Sequence, residues 1–225
     1  MLESPPRPEP SRVVHQGDGI AWLKETELDA AQAVVTSLPD ASELPRLEFE
    51  AWREWFVETS ALICSRVAPE SVAIFFQTDV KRDGRWVDKG FLVSLGAERA
   101  ASSLLWHKVV CRAPAGTTTF GRPAYAHLLC FSKNLRLTPA QSFADVVPEL
   151  GAMPWARAMG TRACAEACRF LLAHTACRSV VDPFCGIGTL LAVANEYGLD
   201  AVGVELSAKR ARRARTLVLN EQTSA

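Results

Sequence analysis

Six residues near the end of the chain, Asp182, Phe184, Gly186, Gly188, Thr189 and Glu205, have types and spacing suited to holding a nucleoside-bearing ligand. They lie in "SVVDPFCGIGTLLAVANEYGLDAVGVELS", Ser179 to Ser207. An apolar run at Ser179–Val181 reads as a buried strand, a glycine turn follows at Cys185–Gly188, and Thr189–Tyr197 continues with helix formers at apolar spacing. A second buried strand, Ala201–Ser207, ends in Glu205, about twenty residues beyond the glycines. Glycines let a ligand approach the backbone closely, and a carboxylate at the tip of the second strand accepts hydrogen bonds from both hydroxyls of a ribose. The turn is G-x-G and lacks the third glycine of the dinucleotide fingerprint. Asp182, at the carboxyl end of the first strand, would repel a pyrophosphate and attract the ammonium of an amino-acid group. Both features suit an adenosine-containing cofactor with an amino-acid end. The competing reading is a strand, turn and helix that bind nothing, since glycine pairs also occur at ordinary turns.

The stretch "DPFCGIGT", residues 182–189, resembles the S-adenosylmethionine motif of amino-methyltransferases acting on nucleic acids, in which D-P-F/P-x-G-x-G-T recurs. In the usual order of that family the catalytic strand follows this motif, but after Leu217 only a short polar tail remains. The catalytic half is legible upstream instead. "VVHQGDGIAWLKE", from Val13, and then "AQAVVTSLPDASELP" are similar to the opening of the circularly permuted, beta-order members. Those begin with a strand, a "GD" turn and a short helix, followed by a strand ending in a D/N/S-P-P-Y/F/W catalytic turn. By this resemblance S-adenosyl-L-methionine is the cofactor. Asp182, Phe184, Gly186, Gly188, Thr189 and Glu205 hold it, Asp18 bonds its adenine, and Ser37, Pro39 and Asp40 form the catalytic turn.

In the family's turn the first polar side chain and a proline carbonyl accept hydrogen bonds from the target amine, while the aromatic stacks on the extruded base. Here Leu38 replaces the first proline and Asp40 the aromatic. The lost stacking face is worth about 1 to 3 kcal/mol unless Phe120, Tyr125 or Trp155 supplies it. Asp40 is expected instead to take a proton from a nitrogen or oxygen nucleophile. No cysteine follows the proline, which argues against covalent C5-cytosine chemistry.

The elements that must position these residues continue the family order. Glu50–Val67 reads as a helix, with Trp52, Trp55, Phe56, Leu62 and Ile63 on helical spacing. "SVAIFFQTD" is a strand, "KGFLVSLGAERAAS" a helix from near Lys89, "LLWHKVVC" a strand and "AYAHLLCFSKN" its antiparallel partner. Permuted methyltransferases carry a lysine before that helix, a W-x-K strand and a final strand ending in lysine. Lys89, Trp106 with Lys108, and Lys133 match. The expected fold is α/β, a doubly wound Rossmann-like methyltransferase fold, circularly permuted, in a single domain over residues 13–225. Residues 1–12, rich in proline, read as a disordered lead-in without the blocks of a secretion signal.

Composition bounds the rest. Nearly half the residues are apolar, and no run reaches the eighteen or so that a membrane helix needs. Seven cysteines without a C-x-x-C pair suggest a reducing compartment, cytoplasmic or another intracellular one. Cys164 and Cys168 sit at helical spacing and read as core, so no metal site is expected. Net charge is zero but uneven: residues 1–80 hold 6 Lys/Arg against 14 Asp/Glu, and residues 81–136 hold 10 against 3, or −8 and +7. Within that basic block Lys108, Arg122 and Lys133 are expected to bind substrate, Arg122 from the border of the flap-like loop "RAPAGTTTFGRPAYAH". Solvated surface charge is the bland alternative. His107 and His127, in adjacent strand patterns, read as packed residues more than as a base. The helix "SAKRARRARTLVLN", with Ser207 as its N-cap, reads as a solvated face.

Only about twenty residues, Leu135–Pro154, occupy the place where sequence-specific DNA enzymes of this order carry a recognition insert. A nucleic acid recognised by shape, RNA and plausibly transfer RNA, is therefore the expected partner. A DNA or small-molecule methyltransferase, and a non-catalytic cofactor-binding subunit of a larger complex, are the alternatives; a second copy of the chain or another subunit is the further candidate partner.

Overall fold

In the computed structural model, residues 9–219 are described. β1 (Arg12–Gln16) leads through Gly17 and Asp18 into α1 (Gly19–Glu25), and the Asp18 carboxylate caps that helix by accepting from the amides of Ile20 and Ala21. β2 (Gln32–Thr36) is buried along Ala33–Thr36, as expected of a strand covered on both faces. α2 (Phe49–Arg66) turns Trp52, Phe56 and Ile63 inward, and β3 (Ala73–Gln77) is buried throughout. A short hairpin follows, β4 (Val80–Arg82) and β5 (Arg85–Val87). Then come α3 (Lys89–Arg99), β6 (Ser103–Cys111), β7 (Tyr125–Ser132), β8 (Val146–Val147) and α4 (Thr161–His174). The glycine-turn unit is β9 (Ser179–Asp182), α5 (Thr189–Glu196) and β10 (Asp200–Glu205), and α6 (Ala208–Thr216) closes the described chain. Ser207 caps α6 as its sequence position suggests.

Eight strands form one sheet in the order β1-β10-β9-β2-β3-β7-β6-β8. The first five are mutually parallel, and β7 runs antiparallel between β3 and β6. Alternation along the central strands divides the core. Val35, Ile74 and Phe76 pack with α4, α5 and α6, while Val34, Ala73 and Phe75 pack with α1, α2 and α3. Helices on both faces make this a single doubly wound α/β domain. β9, which comes late in the chain, lies beside β2, which comes early. Crossovers leave this pair in opposite directions, β9 to β10 and β2 to β3, so a crevice opens at their carboxyl ends.

Two details differ from the expectation. Ser11 and Arg12, counted with the disordered lead-in, belong to the sheet: the Ser11 hydroxyl and amide both donate to Asp200 at 2.7 Å, and β1 begins at Arg12. The rest of that lead-in up to residue 8, and the tail from residue 220, lie outside the described residues. The hairpin β4–β5 was not foreseen and forms a separate two-stranded sheet. Its turn residues Asp83 and Gly84 have φ of 47° and 75°, the geometry that Asp-Gly adopts in two-residue hairpins.

Candidate active site

The carboxyl ends of β1, β10, β9 and β2 surround one cavity of about 230 Å³, lined by Asp18, Ser37, Pro39, Asp182, Phe184, Gly186, Thr189 and Glu205 among others. Their convergence follows from the strand register. Gln16 is opposite Glu205, and Asp182 is opposite Gly203, so the turns after these strands rise side by side. The Gly17 amide donates to the Glu205 carbonyl at 3.1 Å and ties the "GD" turn to the acidic strand tip. Two glycines are needed for closeness. At Gly19 a Cβ would lie 2.0 Å from the Pro183 carbonyl oxygen, and at Gly188, with φ of 86°, 2.9 Å from Ala214.

Among the described residues, the two buried carboxylates each have one oxygen without a hydrogen-bond partner. Asp182 accepts from the Thr36 hydroxyl at 2.7 Å and the Phe184 amide at 3.0 Å, both on Oδ1. Burial pushes its carboxyl up to about 7, only partly offset by those two donors. A cation arriving at Oδ2 would favour the ionised form. Glu205 receives the Ser207 amide and the Arg210 guanidinium, at 2.7 and 2.9 Å, all on Oε1. The Thr189 hydroxyl is buried on the cavity wall with no hydrogen-bond partner among the described residues. Trp155 reaches the glycine turn, its ring 3.2 Å from where a Gly186 Cβ would be, and the Arg210 guanidinium lies 5.6 Å from the same ring. An orphaned hydroxyl, two carboxylates with free oxygens and an aromatic wall fit an adenosine carrying an amino-acid end.

A second, smaller cavity adjoins the first across Ser37 and Leu38, which line both. Asp40 stands there, and its surroundings oppose the role of base. Lys89 Nζ bonds one of its oxygens directly, Arg122 reaches the other at 3.0 Å, and both Lys89 and Asp40 are largely shielded. A carboxylate that neutralises a buried ammonium is an anchor, because protonating it would strand that charge. Burial, partly countered by Asp40, also lowers the Lys89 pKa. Pro39 has its carbonyl engaged by Trp52 Nε1 at 3.2 Å, so one of its lone pairs is already used. Ser37 is the polar side chain of the turn with no hydrogen-bond partner among the described residues, and it lines both cavities.

The basic block does not stay together. Lys108 is buried on the α4 side of the sheet, paired with Glu166 at 3.2 Å and lying over Phe143, and lines neither cavity. Lys133 donates to the carbonyls of Ser65 and Val67 at 2.9 and 3.0 Å, capping α2 at the amino end of β3, the wrong end of the sheet. Arg122 alone of the three expected substrate residues is at the site. Arg112, which joins it in the second cavity, has no carboxylate partner among the described residues. His107 and His127 are joined at 2.9 Å, and His127 continues to Asp79 at 3.1 Å. Asp79 in turn accepts the Lys89 amide, so this chain steadies the start of α3 behind the ion pair. Ligand atoms of Asp79, Asp88 and His127 lie within 4.8 Å of one another, and each carboxylate also holds a backbone amide of α3. All seven cysteines are free, and Cys164 and Cys168 are buried in α4. Arg210 was missed from the sequence; the only signal was its place five residues after Glu205, in a helix that read as solvated.

No family profile matches the sequence, and no curated protein matches it. Solved structures do. A candidate DNA modification methylase from Thermus thermophilus, also solved with S-adenosyl-L-methionine, is similar with a TM-score of 0.67 and 19% identity, over 91% of this chain and 92% of that one. The M1.HpyAVI complex with the same cofactor has a TM-score of 0.60 at 14% identity, over 90% and 96%. PvuII DNA methyltransferase, specific for cytosine N4, has 0.66 at 15%, over 94% and 90%. The chain therefore has the Rossmann-like methyltransferase fold.

Proposed function

We propose that this chain is an S-adenosylmethionine-dependent methyltransferase acting on an amino nitrogen of a nucleic-acid base. The observation that carries the reading is the single cavity that gathers Asp18, Asp182, Gly186, Thr189 and Glu205 from three strand ends and shares Ser37, from a fourth, with a second opening. The cofactor, when bound, supplies an electrophilic methyl group on a sulfonium. Glu205 would hold the ribose, Asp182 the ammonium, and Asp18, at the entry to α1, would lie toward the adenine. Ser37 would accept a hydrogen bond from the target amine and so orient its lone pair toward the methyl group, and the proton that the amine loses on methylation would pass to solvent. Asp40 shapes the turn through Lys89 and Arg122.

We also infer that the domain is circularly permuted. Its chain enters the sheet at β1, runs through β2 and β3 and supplies the glycine-turn strand β9 afterwards, which supports the order read from the motifs.

DNA is the better-supported substrate class. The missing recognition insert favoured RNA, but the chain spans 92% and 96% of two similar structures, one described as a DNA modification methylase and the other M1.HpyAVI, so compactness does not discriminate. A non-catalytic subunit is the second reading, favoured by the ion-paired Asp40 in the place of the family's aromatic. The test is methyl transfer from labelled S-adenosylmethionine to genomic DNA or total RNA, followed by nucleoside mass spectrometry. An N-methylated base in DNA is expected, and the same product confined to RNA would reverse the choice of nucleic acid. Cofactor binding without transfer to either would favour the subunit reading.

A further inference from the structure

Outside both cavities, the hairpin β4–β5 and the loop before β7 bring two exposed aromatic rings to one ammonium. Trp86 is 47% exposed and Phe120 81%. Lys81 Nζ lies 5.2 Å from the Trp86 ring centre and 4.7 Å from that of Phe120. Lys81 and Trp86 are directly opposite in the hairpin register, so strand pairing accounts for their contact. It does not account for Phe120, which arrives from a different segment and is largely exposed to water.

The charges around these rings have one sign in excess. Lys81, Arg82 and Arg85 lie on the hairpin, against Asp83, on Arg82 at 3.7 Å, and the exposed Asp88 that follows β5. The same two segments also build the inner wall. Arg122, two residues beyond Phe120, is bonded to Asp40, and the hairpin ends at Val87, two residues before Lys89. Inside, Arg112 adds a guanidinium that has no carboxylate partner among the described residues.

We propose that Trp86 and Phe120 form a stacking platform for unpaired bases of a nucleic-acid strand entering the second cavity, with Lys81, Arg85, Arg112 and Arg122 taking its phosphates. Exposed π faces interleaved with cations fit a single strand, whose bases are free to stack, better than a closed duplex. The platform rests on the nucleic-acid reading above.

The test uses the full chain loaded with S-adenosylhomocysteine, and fluorescence anisotropy of a labelled oligonucleotide, single-stranded or annealed to its complement. Wild type is expected to prefer the single strand. Trp86→Ala and Phe120→Ala are each expected to weaken it by roughly 5- to 150-fold, with Trp86→Phe recovering much of the loss. Their salt slope and their affinity for S-adenosylhomocysteine should match wild type, since no cation and no cofactor contact is removed. Variants that bind the single strand as wild type does would overturn the platform while leaving the nucleic-acid reading intact. Wild type that binds no oligonucleotide at low salt would remove that reading itself, and the platform with it. A change in sedimentation of the variants without a change in oligonucleotide affinity would assign the patch to a protein contact and overturn the proposal.

Discussion

Replacing Asp40 by asparagine separates an anchor from a base. The Lys89 side chain is 4% exposed and that of Asp40 14%, and the two are in direct contact. Removing one member of a buried ion pair costs about 3 to 5 kcal/mol, because the other charge is left unpaired. For a domain of this size each kcal/mol is worth about 2 to 4 °C, so Asp40→Asn should lower the melting temperature by roughly 6 to 20 °C. The loss should shrink at alkaline pH. The Lys89 pKa is lowered by burial, so between its folded and unfolded values the unfolded chain binds more protons, and stability rises with pH through that window. Adding Lys89→Met removes the stranded charge while keeping the volume, and the double variant should regain most of the stability. Urea and thermal unfolding of the four proteins closes the cycle. Asp40→Asn within about 0.5 kcal/mol of wild type, or a double variant no better than the single, would refute the anchor. A turnover loss of about 10² to 10⁴ at unchanged stability would reinstate Asp40 as the base.

Three further outcomes are expected. Glu205→Ala should weaken S-adenosylmethionine binding by about 1.5 to 3 kcal/mol in isothermal titration, and unchanged affinity in a folded variant would remove Glu205 from the site. Asp182, raised to about 7 by burial, holds a proton that the unfolded chain lacks; its contribution to ligand-free stability is complete below about pH 4 and is lost as pH rises through 7. An ammonium docking on Asp182 should expel that proton, so cofactor binding at about pH 6.5, where much of the carboxyl is still protonated, should give heats that vary with the ionisation enthalpy of the buffer in wild type and not in Asp182→Asn; buffer-independent heats in wild type would count against the contact. Arg122→Gln should reduce the slope of log affinity for nucleic acid against log salt by nearly one unit, whereas Lys133→Gln should leave it unchanged, and the reverse pattern would move the phosphate track to the other end of the sheet.

What the sequence determined by itself was the set of local units and their order. Short-range physics decides those: a buried β run, the Gly186–Gly188 turn and the helix after it are written in adjacent residues, as is the Ser207 cap. Their sum was enough for the fold and for the residues around the first cavity, because strand tips in a doubly wound sheet converge without help from distant side chains. The fate of the charges was not local. Lys108 and His107 are neighbours, but the two-residue period of a strand sends one toward α4 and the other toward His127. Lys133 follows β7 to the amino end of β3 because that strand is antiparallel. Asp40 meets Lys89 and Arg122 from 49 and 82 residues away. Tertiary structure alone decided that this carboxylate is spoken for, since only packing sets which buried charges share a space, and electrostatics then requires them to neutralise one another.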